Sequence, residues 1–580
     1  MLRYSISTAA LLILFLRTAS AQAATNEPAA NPFQVADSSG HVVALFSLEA
    51  YRAEFRYLRN EFRKINLLGL PVMTDGWTTN IAEAEWPVMT AAYLGYACAN
   101  LAAVDPAPAM RNEYLAEMRW LLDALQTPRI SGFVKPHFGE PFSSKEIHAA
   151  VFLHGHFLNL ATRYRQISDD TGYDKLIHRV AAALTNDYLA TDQDILRSYR
   201  DMWWITDNFP ALAGLVRYDR IFQHDTSAAR AKFLHSLKEF YLDKRTGLFC
   251  TYVHPDGHVQ SQGPRGISVM FGLHFLKEFD APFAEDQYPL ARKFFIRDVL
   301  GVSAVREFPE GAEAPGDIDS GPVIFGLGPS ASGFGIAAAV INGDTNTAQR
   351  LLNASAMAGL PVLHDGELQY ASMPTVGQAV ILFGKTELLK VTHDEAANTP
   401  LGKLLKQLEL ESIEPPRDLS GHVVALHISW TNVNEQNLAL ISQIDSLKTL
   451  IIQTPAKYLT ADGAAIISRM TNLTTLNFGC GRWLEPGVIE QVSKMRGLRS
   501  LTLYSVQPRA YEYVSLANLR DLRELRLFGC TNFTDVELCL LTNFTKLTNL
   551  EIRYSSISAA GTNLLSDLTN LTHLVIDLHR

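Results

Sequence analysis

The sequence predicts a multidomain chain, with a mainly α (α/α)6 toroid followed by an α/β repeat solenoid. Two observations carry this prediction. Between about residues 47 and 390, helical stretches alternate between wholly apolar and amphipathic. From Val423 onward, a strand-like pattern returns every 24 to 26 residues. A length of 580 residues also exceeds what one ordinary core supports, so at least two domains are expected.

The apolar stretches form one set of six predicted helices, rich in small residues, as in WPVMTAAYLGYACANLA and ASGFGIAAAVING. Amphipathic stretches such as AARAKFLHSLKEFYL lie between them. A helix that is apolar all round must be buried, whereas an amphipathic helix keeps a wet face. The pattern therefore favours six inner and six outer helices in a closed ring over an open α-solenoid. The inner helices are predicted to begin near Glu83, Lys145, Asn208, Pro264, Gly321 and Pro374.

The repeats share the pattern L-x-x-L-x-L, as in Leu473-Thr-Thr-Leu-Asn-Phe, and occur seven times. This resembles the leucine-rich repeat family and implies a leucine-rich repeat solenoid over 417–580. One repeat cannot bury its own apolar face, so neighbouring repeats must stack. The resemblance implies a concave strand face that binds a polar protein or glycan partner. Outward strand positions are Lys448, Thr474, Arg499, Arg523, Arg526, Thr548, Glu551 and Thr572.

The remaining segments predicted from the sequence are a signal peptide, an N-terminal extension and a linker between the two domains. Residues 1–23 read as a signal peptide, with a short apolar run and a small-residue cleavage site, so the protein is expected to be exported, either periplasmic or secreted. An extension (24–46), the toroid (47–390), a linker (391–416) and the repeat domain (417–580) follow. The stretch SGHVVAL occurs at 39–45 and again at 420–426. The first copy is either a relic that pairs near the first edge of the solenoid or a short unrelated strand.

Composition excludes several functions. Loss of residues 1–23 would change the formal net charge from −9 to −11, which argues against a nucleic-acid partner. No segment beyond the signal peptide reads as a membrane span. Five scattered Cys form no disulfide framework. The sequence contains no P-loop, dinucleotide fingerprint or nucleophile elbow, so no cofactor is expected.

Acidic, imidazole and aromatic side chains cluster where the inner helices begin, as general acid/base chemistry requires. Asp207 and Asp319 could instead be helix N-caps, and Arg265 could simply pair with an acid. The predicted catalytic residues are Asp207, Asp319, His156 and Glu85, and the predicted substrate-binding residues are Asp317, Trp203, Trp204, Trp77, Arg265 and His148. His254 and His258 flank a predicted β-hairpin turn, and no metal site is assigned there.

Two stretches resemble the linalool dehydratase/isomerase family, whose members are (α/α)6 toroids. HGHFLNLATRYRQISDDTGYDKL (154–176) is similar to that family's His-bearing helix, which implies an active-site role for His156. WWITDNFPALAGLVRYDR (203–220) is similar to the segment with the family's catalytic cysteines. This chain has no Cys there, and Asp207 stands about where a cysteine is expected.

Three functions are consistent with these sequence features. The first is a cofactor-independent lyase, hydro-lyase or isomerase acting on a small molecule in the toroid. The second is a glycoside hydrolase or polysaccharide lyase, in which paired acids act on a glycan that stacks on Trp203 and Trp204. The third is a non-catalytic scaffold in which both domains bind partners.

Overall fold

The structure is a computed structural model. It describes residues 33–68, 82–192, 194–199, 202–254, 263–299, 301–312, 314, 316–317, 319–398, 400, 402–404, 423–428, 434–452, 459–479 and 485–577. The chain divides into two compact units, Met1–Val391 and Thr392–Arg580. The predicted signal peptide lies outside the described residues.

The first unit is built from long helices, of which the described residues contain twelve. In chain order they are α1 (Leu48–Leu68), α2 (Ala82–Val104), α3 (Pro108–Leu125), α4 (Val151–Ile167), α5 (Asp174–Ala190), α6 (Phe209–Phe222), α7 (Ser227–Phe240), α8 (Gly266–Phe279), α9 (Ala281–Phe295), α10 (Pro329–Ile341), α11 (Thr345–Gly359) and α12 (Thr375–Asn398). Single-turn helices Pro128–Ser131 and Lys135–Phe138 lie between α3 and α4.

The even-numbered helices are the apolar set, and each packs against the next. Gly155 of α4 meets the backbone of Ala211 in α6, where an added Cβ would lie 2.9 Å from the Ala211 nitrogen. Gly384 of α12 fits equally closely against Ile336 of α10. Glycine allows this approach because it has no Cβ. Further along the same pair, Gly214 of α6 meets Leu158 of α4, so the contacts advance together along both helices and the two run in the same direction.

Contacts between α12 and α2 close the ring. Asn100 of α2 donates hydrogen bonds to Thr386 Oγ1 (3.2 Å) and Glu387 Oε1 (2.9 Å) of α12. On the outside, buried Lys385 of α12 pairs with Glu54 of α1, which ties the first outer helix to the last inner one. The closed ring of inner helices is thus the predicted arrangement, and the open α-solenoid is not formed.

Two inner helices begin later than predicted, and α12 ends later. The starts near Lys145 and Gly321 shift to Val151 and Pro329. Gly321 and Gly326 have positive φ of 66° and 78°, which a helix does not accept, so the chain before α10 remains a loop. Helix α12 reaches Asn398, inside the segment predicted as a linker.

Four two-stranded sheets complete the described part of the first unit. They pair β1 (Gln34–Ala36) with β2 (Val42–Ala44), β3 (Trp203–Trp204) with β4 (Tyr252–Val253), β5 (Ile296–Val299) with β6 (Val302–Val305), and β7 (Pro361–His364) with β8 (Glu367–Tyr370). The first SGHVVAL copy therefore forms β2, and its partner is the preceding strand. Asp37 Oδ1 accepts hydrogen bonds from the Ser39 and His41 backbone nitrogens, which holds the turn between the two strands. Of the two alternatives for the first SGHVVAL copy, the structure therefore agrees with the short strand that is unrelated to the solenoid.

The second unit contains a seven-stranded parallel sheet among its described residues, and the strands lie in chain order. They are β9 (Ala425–Ile428), β10 (Thr449–Ile452), β11 (Thr475–Gly479), β12 (Ser500–Tyr504), β13 (Glu524–Phe528), β14 (Asn549–Arg553) and β15 (His573–Ile576). Helices between them are α13 (Glu435–Ile441), α14 (Ala461–Ser468), α15 (Val488–Val492), α16 (Ala510–Leu516) and α17 (Asp535–Leu538). Leu450, Leu476, Leu501, Leu525 and Leu550 share one register and are fully buried.

One described helix is long and apolar enough to cross a membrane, although the sequence predicted no such segment beyond the signal peptide. It is Glu85–Val104, and 89% of its most apolar window is buried inside the unit. This helix is α2, and its apolar surface packs against the helices around it.

Candidate active site

Three predicted acids lie at the end of the ring where the inner helices begin. Glu85 is in the first turn of α2, Asp207 is in the 3-10 turn Thr206–Asn208 directly before α6, and Asp319 is on the loop before α10. Because the inner helices are parallel, these starts converge from three sides of the ring.

Two pairs of residues that are adjacent in the sequence link the three acids. Ser198 bonds to Asp207, and the neighbouring Tyr199 donates to Glu85 Oε2 at 2.9 Å. Trp86, next to Glu85, donates from Nε1 to Asp319 Oδ1 at 3.4 Å. The dipeptides Ser198-Tyr199 and Glu85-Trp86 therefore hold the carboxyls in one cluster, which we call the carboxyl cluster (Glu85, Asp207 and Asp319).

None of these acids serves as a helix cap. The N-cap residue of α6 is Asn208 and that of α10 is Gly328, and neither makes a side-chain capping hydrogen bond. Asp207 Oδ2 is buried and has no hydrogen-bond partner. The capping alternative therefore does not account for Asp207 or Asp319.

Burial and mutual repulsion push the carboxyl cluster toward its protonated form. Burial, with a further contribution from the charge of Asp319, raises the pKa of Asp207 to about 7. Burial and the charges of Asp319 and Asp207 hold the pKa of Glu85 well above its usual range. Burial and the neighbouring Asp317 also raise the pKa of Asp319. Asp207 therefore titrates near neutral pH, and the raised pKa of Glu85 favours its protonated form.

Arg265 anchors the loop that carries Asp319. Its Nε donates to Glu307 Oε1 at 2.8 Å, and its Nη2 donates to Asp317 Oδ1 at 2.8 Å. The same Asp317 oxygen accepts from the backbone nitrogens of Asp319 (3.1 Å) and Ser320 (3.0 Å). Arg265 is only 5% exposed and pairs with two acids, which is the alternative that the sequence left open for it.

The pKa values of the two acids that pair with Arg265 are shifted in opposite directions. Although burial opposes ionisation of Asp317, the hydrogen bonds and charge of Arg265 lower the pKa of this carboxyl below its ordinary value. For Glu307, burial outweighs the attraction of Arg265 and raises the pKa to about 7. Glu307 Oε2 is buried without a hydrogen-bond partner.

Three tryptophans lie next to the acids of the carboxyl cluster or close to them in the chain. Trp203 and Trp204 form β3, three residues before Asp207, and both are half-buried, as is Trp86. Strand pairing with Tyr252 and Val253 fixes the two β3 residues. Flat, partly exposed rings beside hydrogen-bonding acids are suited to the faces and hydroxyls of sugars.

His156 lies deeper in the ring, inside an aromatic cluster. Its Nδ1 is 3.0 Å from Tyr96 Oη, and its ring neighbours include Tyr93, Phe152 and Phe271. Burial lowers the pKa of His156 to about 3, so the ring is neutral at neutral pH. Phe152 separates it from the acids, because this ring contacts both His156 and Tyr199.

The remaining predicted residues are more dispersed. His148 is exposed before α4, His154 is buried with Nε2 2.8 Å from the Pro141 carbonyl, and His254 is exposed after β4. Trp77 and His258 lie outside the described residues. In the described part of the chain, no three His, Cys, Asp or Glu side chains are grouped closely enough to hold a metal ion.

Sequence reasoning missed Ser198 and Tyr199. They lie in DILRSYRDMWW, a segment without helical or strand periodicity, so no pattern marked them. The neighbouring tryptophans were the nearest available signal. Both residues are nonetheless buried and bind the acids that the sequence did identify.

Comparisons with known proteins give structural similarities only. No family model matches the chain, and no curated protein is similar to it. Its resemblance to the linalool dehydratase/isomerase family therefore remains a prediction.

The similar solved structures include two enzymes named for hydrolysis of glycans. An unsaturated glucuronyl hydrolase specific for heparin is 11% identical over 59% of this chain and 97% of that one, with a TM-score of 0.40. An α-1,6-mannanase from Salegentibacter is 12% identical over 59% and 99%, with a TM-score of 0.38. Internalin C2 from Listeria monocytogenes is 21% identical over 25% of this chain, with a TM-score of 0.19, and the match spans 58% of that protein.

Proposed function

We propose that the helical unit is a glycan-active hydrolase in which Glu85 and Asp207 act as the acid/base pair. The observation that carries this proposal is the carboxyl cluster, with its hydrogen-bonded supports, at the end of the ring where the inner helices begin. Acid/base catalysis near neutral pH requires one positioned group that donates a proton and another that accepts one.

The roles follow from the two environments. Glu85, whose pKa burial and the neighbouring acids hold well above its usual range, donates its proton to the glycosidic oxygen as the C–O bond breaks. Asp207, with its pKa raised to about 7, is partly ionised near neutral pH and takes a proton from the attacking water. The sugar carbon gains the hydroxyl of that water, so atoms and protons balance. Asp319 supports the charge of the site, while Trp203 and Trp204 stack on sugar rings.

The filling of the ring interior favours a glycan over a small apolar alcohol. Below the carboxyl cluster, Tyr93, Tyr96, His156 and His274 are at most 1% exposed and pack against one another. A narrow apolar pocket would need this space. The half-buried Trp203 and Trp204 instead precede Asp207 at the end of the ring where the inner helices begin.

The charge of the site favours hydrolysis over lyase chemistry on uronic acids. Among the described residues, the carboxyl cluster has Asp317 as a further acidic neighbour, and Arg265 is already paired. A uronate carboxylate would add another negative charge there, which costs free energy.

For the second unit we propose a leucine-rich repeat solenoid that binds a polar partner through its strand face. Arg526 of β13 is exposed and pairs with Glu524 and Glu551 on the same face. Such mixed charges suit a protein or glycan surface. Export, inferred from residues 1–23, places both units outside the cytoplasm in this proposal.

A screen of the full-length protein tests the catalytic proposal. Purified protein is incubated with a panel of neutral, acidic and amino polysaccharides and with allylic alcohols, and new reducing ends are measured. We expect a glycan to be cleaved by the wild type and not by Glu85→Gln or Asp207→Asn. The matched controls are Glu113→Gln and Asp365→Asn, whose side chains are 46% and 86% exposed. Conversion of an alcohol without glycan cleavage would overturn the proposal in favour of a hydro-lyase or isomerase.

A further inference from the structure

The charge balance of the site is uneven. Arg265 is the one described cation that acts on these acids, and Glu307 and Asp317 already bind its guanidinium. The carboxyl cluster is left with no cation from the described residues to compensate it. Tyr199 and Trp86 contribute only neutral hydrogen bonds.

Asp207 supplies a second and independent observation. This side chain is 9% exposed, and its Oδ2 atom has no hydrogen-bond partner, although the carboxyl group also bonds to Ser198. A buried carboxylate oxygen without a partner costs free energy, so it is an acceptor in need of a donor. It lies within the electrostatic reach of Asp319 and Glu85, inside the cluster.

We infer that the substrate is a glycan with free amino groups, and that the ammonium group of a hexosamine binds within the carboxyl cluster. This inference rests on the proposed hydrolase function and names its substrate class. An ammonium group has three donors and no acceptor, whereas ionised carboxylates only accept. Charge-assisted hydrogen bonds of this kind are stronger than neutral ones.

Ligand binding then couples to proton release. The groups that act on the site are Glu85, Asp207, Asp319, Asp317, Tyr199, Arg265 and Glu307. An added positive charge favours the ionised form of the raised carboxyls, so protons leave as the amine binds. N-acetylation removes this charge and leaves the rest of the sugar intact.

The test compares matched oligosaccharides in fully de-N-acetylated and fully N-acetylated forms. Hexamers of β-1,4-linked glucosamine and α-1,4-linked galactosamine are incubated with the full-length protein at pH 6, where most of the amines are already protonated and the raised carboxyls still hold protons. Titration calorimetry in two buffers of different ionisation enthalpy measures binding and proton release, and product analysis gives kcat/KM. We expect at least a tenfold preference for one amine form, release of protons on binding, and a preference that weakens at high salt.

A variant separates the subsite from the chemistry. Asp319→Asn should reduce the ratio of amine to N-acetyl kcat/KM, or of the corresponding affinities, toward one. Asp365→Asn should leave this ratio unchanged. A ratio that stays high in Asp319→Asn would overturn the assignment.

The outcomes distinguish this inference from the hydrolase proposal. Cleavage of N-acetylated or neutral glycans without preference for the amine overturns the amino-sugar inference and leaves the hydrolase standing. Tight amine-dependent binding without cleavage keeps the subsite and overturns hydrolysis. Neither binding nor cleavage of the amine forms overturns the inference, and the wider glycan panel then decides the hydrolase proposal.

Discussion

Asp207 and His156 show how the same physical effect has opposite consequences at the two levels of one ring. Both side chains are buried, and burial drives both toward their neutral forms. It raises the pKa of Asp207 to about 7 and lowers the pKa of His156 to about 3. The acid is thereby brought into the range where it exchanges protons near neutral pH, while the imidazole is moved out of it. In the proposed mechanism, Asp207 therefore exchanges a proton, whereas His156 stays neutral.

The largest expected effect is on catalysis by the carboxyl cluster. Glu85→Gln or Asp207→Asn should lower kcat by about 10²- to 10⁴-fold, the usual contribution of a positioned acid or base. His156→Phe, which keeps a ring in the aromatic cluster, should change kcat less than tenfold. Kinetics on the cleaved glycan, with circular dichroism to confirm folding, check this contrast. A loss in His156→Phe as large as in Asp207→Asn would erase the distinction between the two levels.

The second expected effect is on how the free energy of unfolding depends on pH. The folded-state pKa of Asp207 is raised, so between about pH 4 and 7 the folded state holds a proton that the unfolded state has lost, and wild-type stability falls as the pH rises. Asp207→Asn lacks this contribution. As the pH rises through that window, the free energy of unfolding of Asp207→Asn should therefore increase relative to that of the wild type, by at most about 1.4 kcal/mol per pH unit. Urea denaturation at several pH values measures the difference, and parallel curves for the two proteins would contradict it.

For His156 we predict that stability depends on pH in the opposite direction. Its folded-state pKa is lowered, so between about pH 6.5 and 3 the unfolded state takes up a proton that the folded state excludes. Wild-type stability should fall as the pH decreases through this window, and His156→Phe should reduce that fall. The same denaturation series includes this variant. An unchanged acid limb would show that His156 does not remain neutral in the folded ring.

A smaller effect is expected from Arg265, which acts through the loop that carries Asp319. Lys cannot reproduce the forked contacts of Arg265 with Glu307 and Asp317. Arg265→Lys should lower kcat/KM by about 10- to 100-fold, which corresponds to roughly 1.4 to 2.7 kcal/mol of transition-state stabilisation. The pH profile should also shift, because a merely structural defect would not move the titration of Asp319. An unaltered profile would remove Arg265 from its positioning role.

The sequence predicted the ring because alternating apolar and amphipathic helices leave a strong periodic signal. It also located Glu85, Asp207 and Asp319, since these acids stand where apolar helices begin. It could not assign Ser198 and Tyr199, which lie on a loop without periodicity, or the pairing of Arg265 with Glu307, 42 residues further along the chain. Such contacts depend on how the loops fold over the end of the ring. His156 was predicted to be catalytic because its helix resembles the His-bearing helix of the linalool dehydratase/isomerase family, and a sequence does not show how deeply a side chain is buried.

The inner helices bring their acids into one coupled site, and carboxyl NMR tests this coupling most directly. Selective ¹³C labelling of aspartate carboxyls allows Asp207 to be titrated in the wild type and in Asp319→Asn, with Asp207→Asn used to assign its signal. We predict a pKa of about 7 for Asp207 in the wild type and a lower pKa when the charge of Asp319 is removed. A wild-type pKa of about 4, the ordinary value for aspartate, that is unmoved by Asp319→Asn would contradict a coupled site.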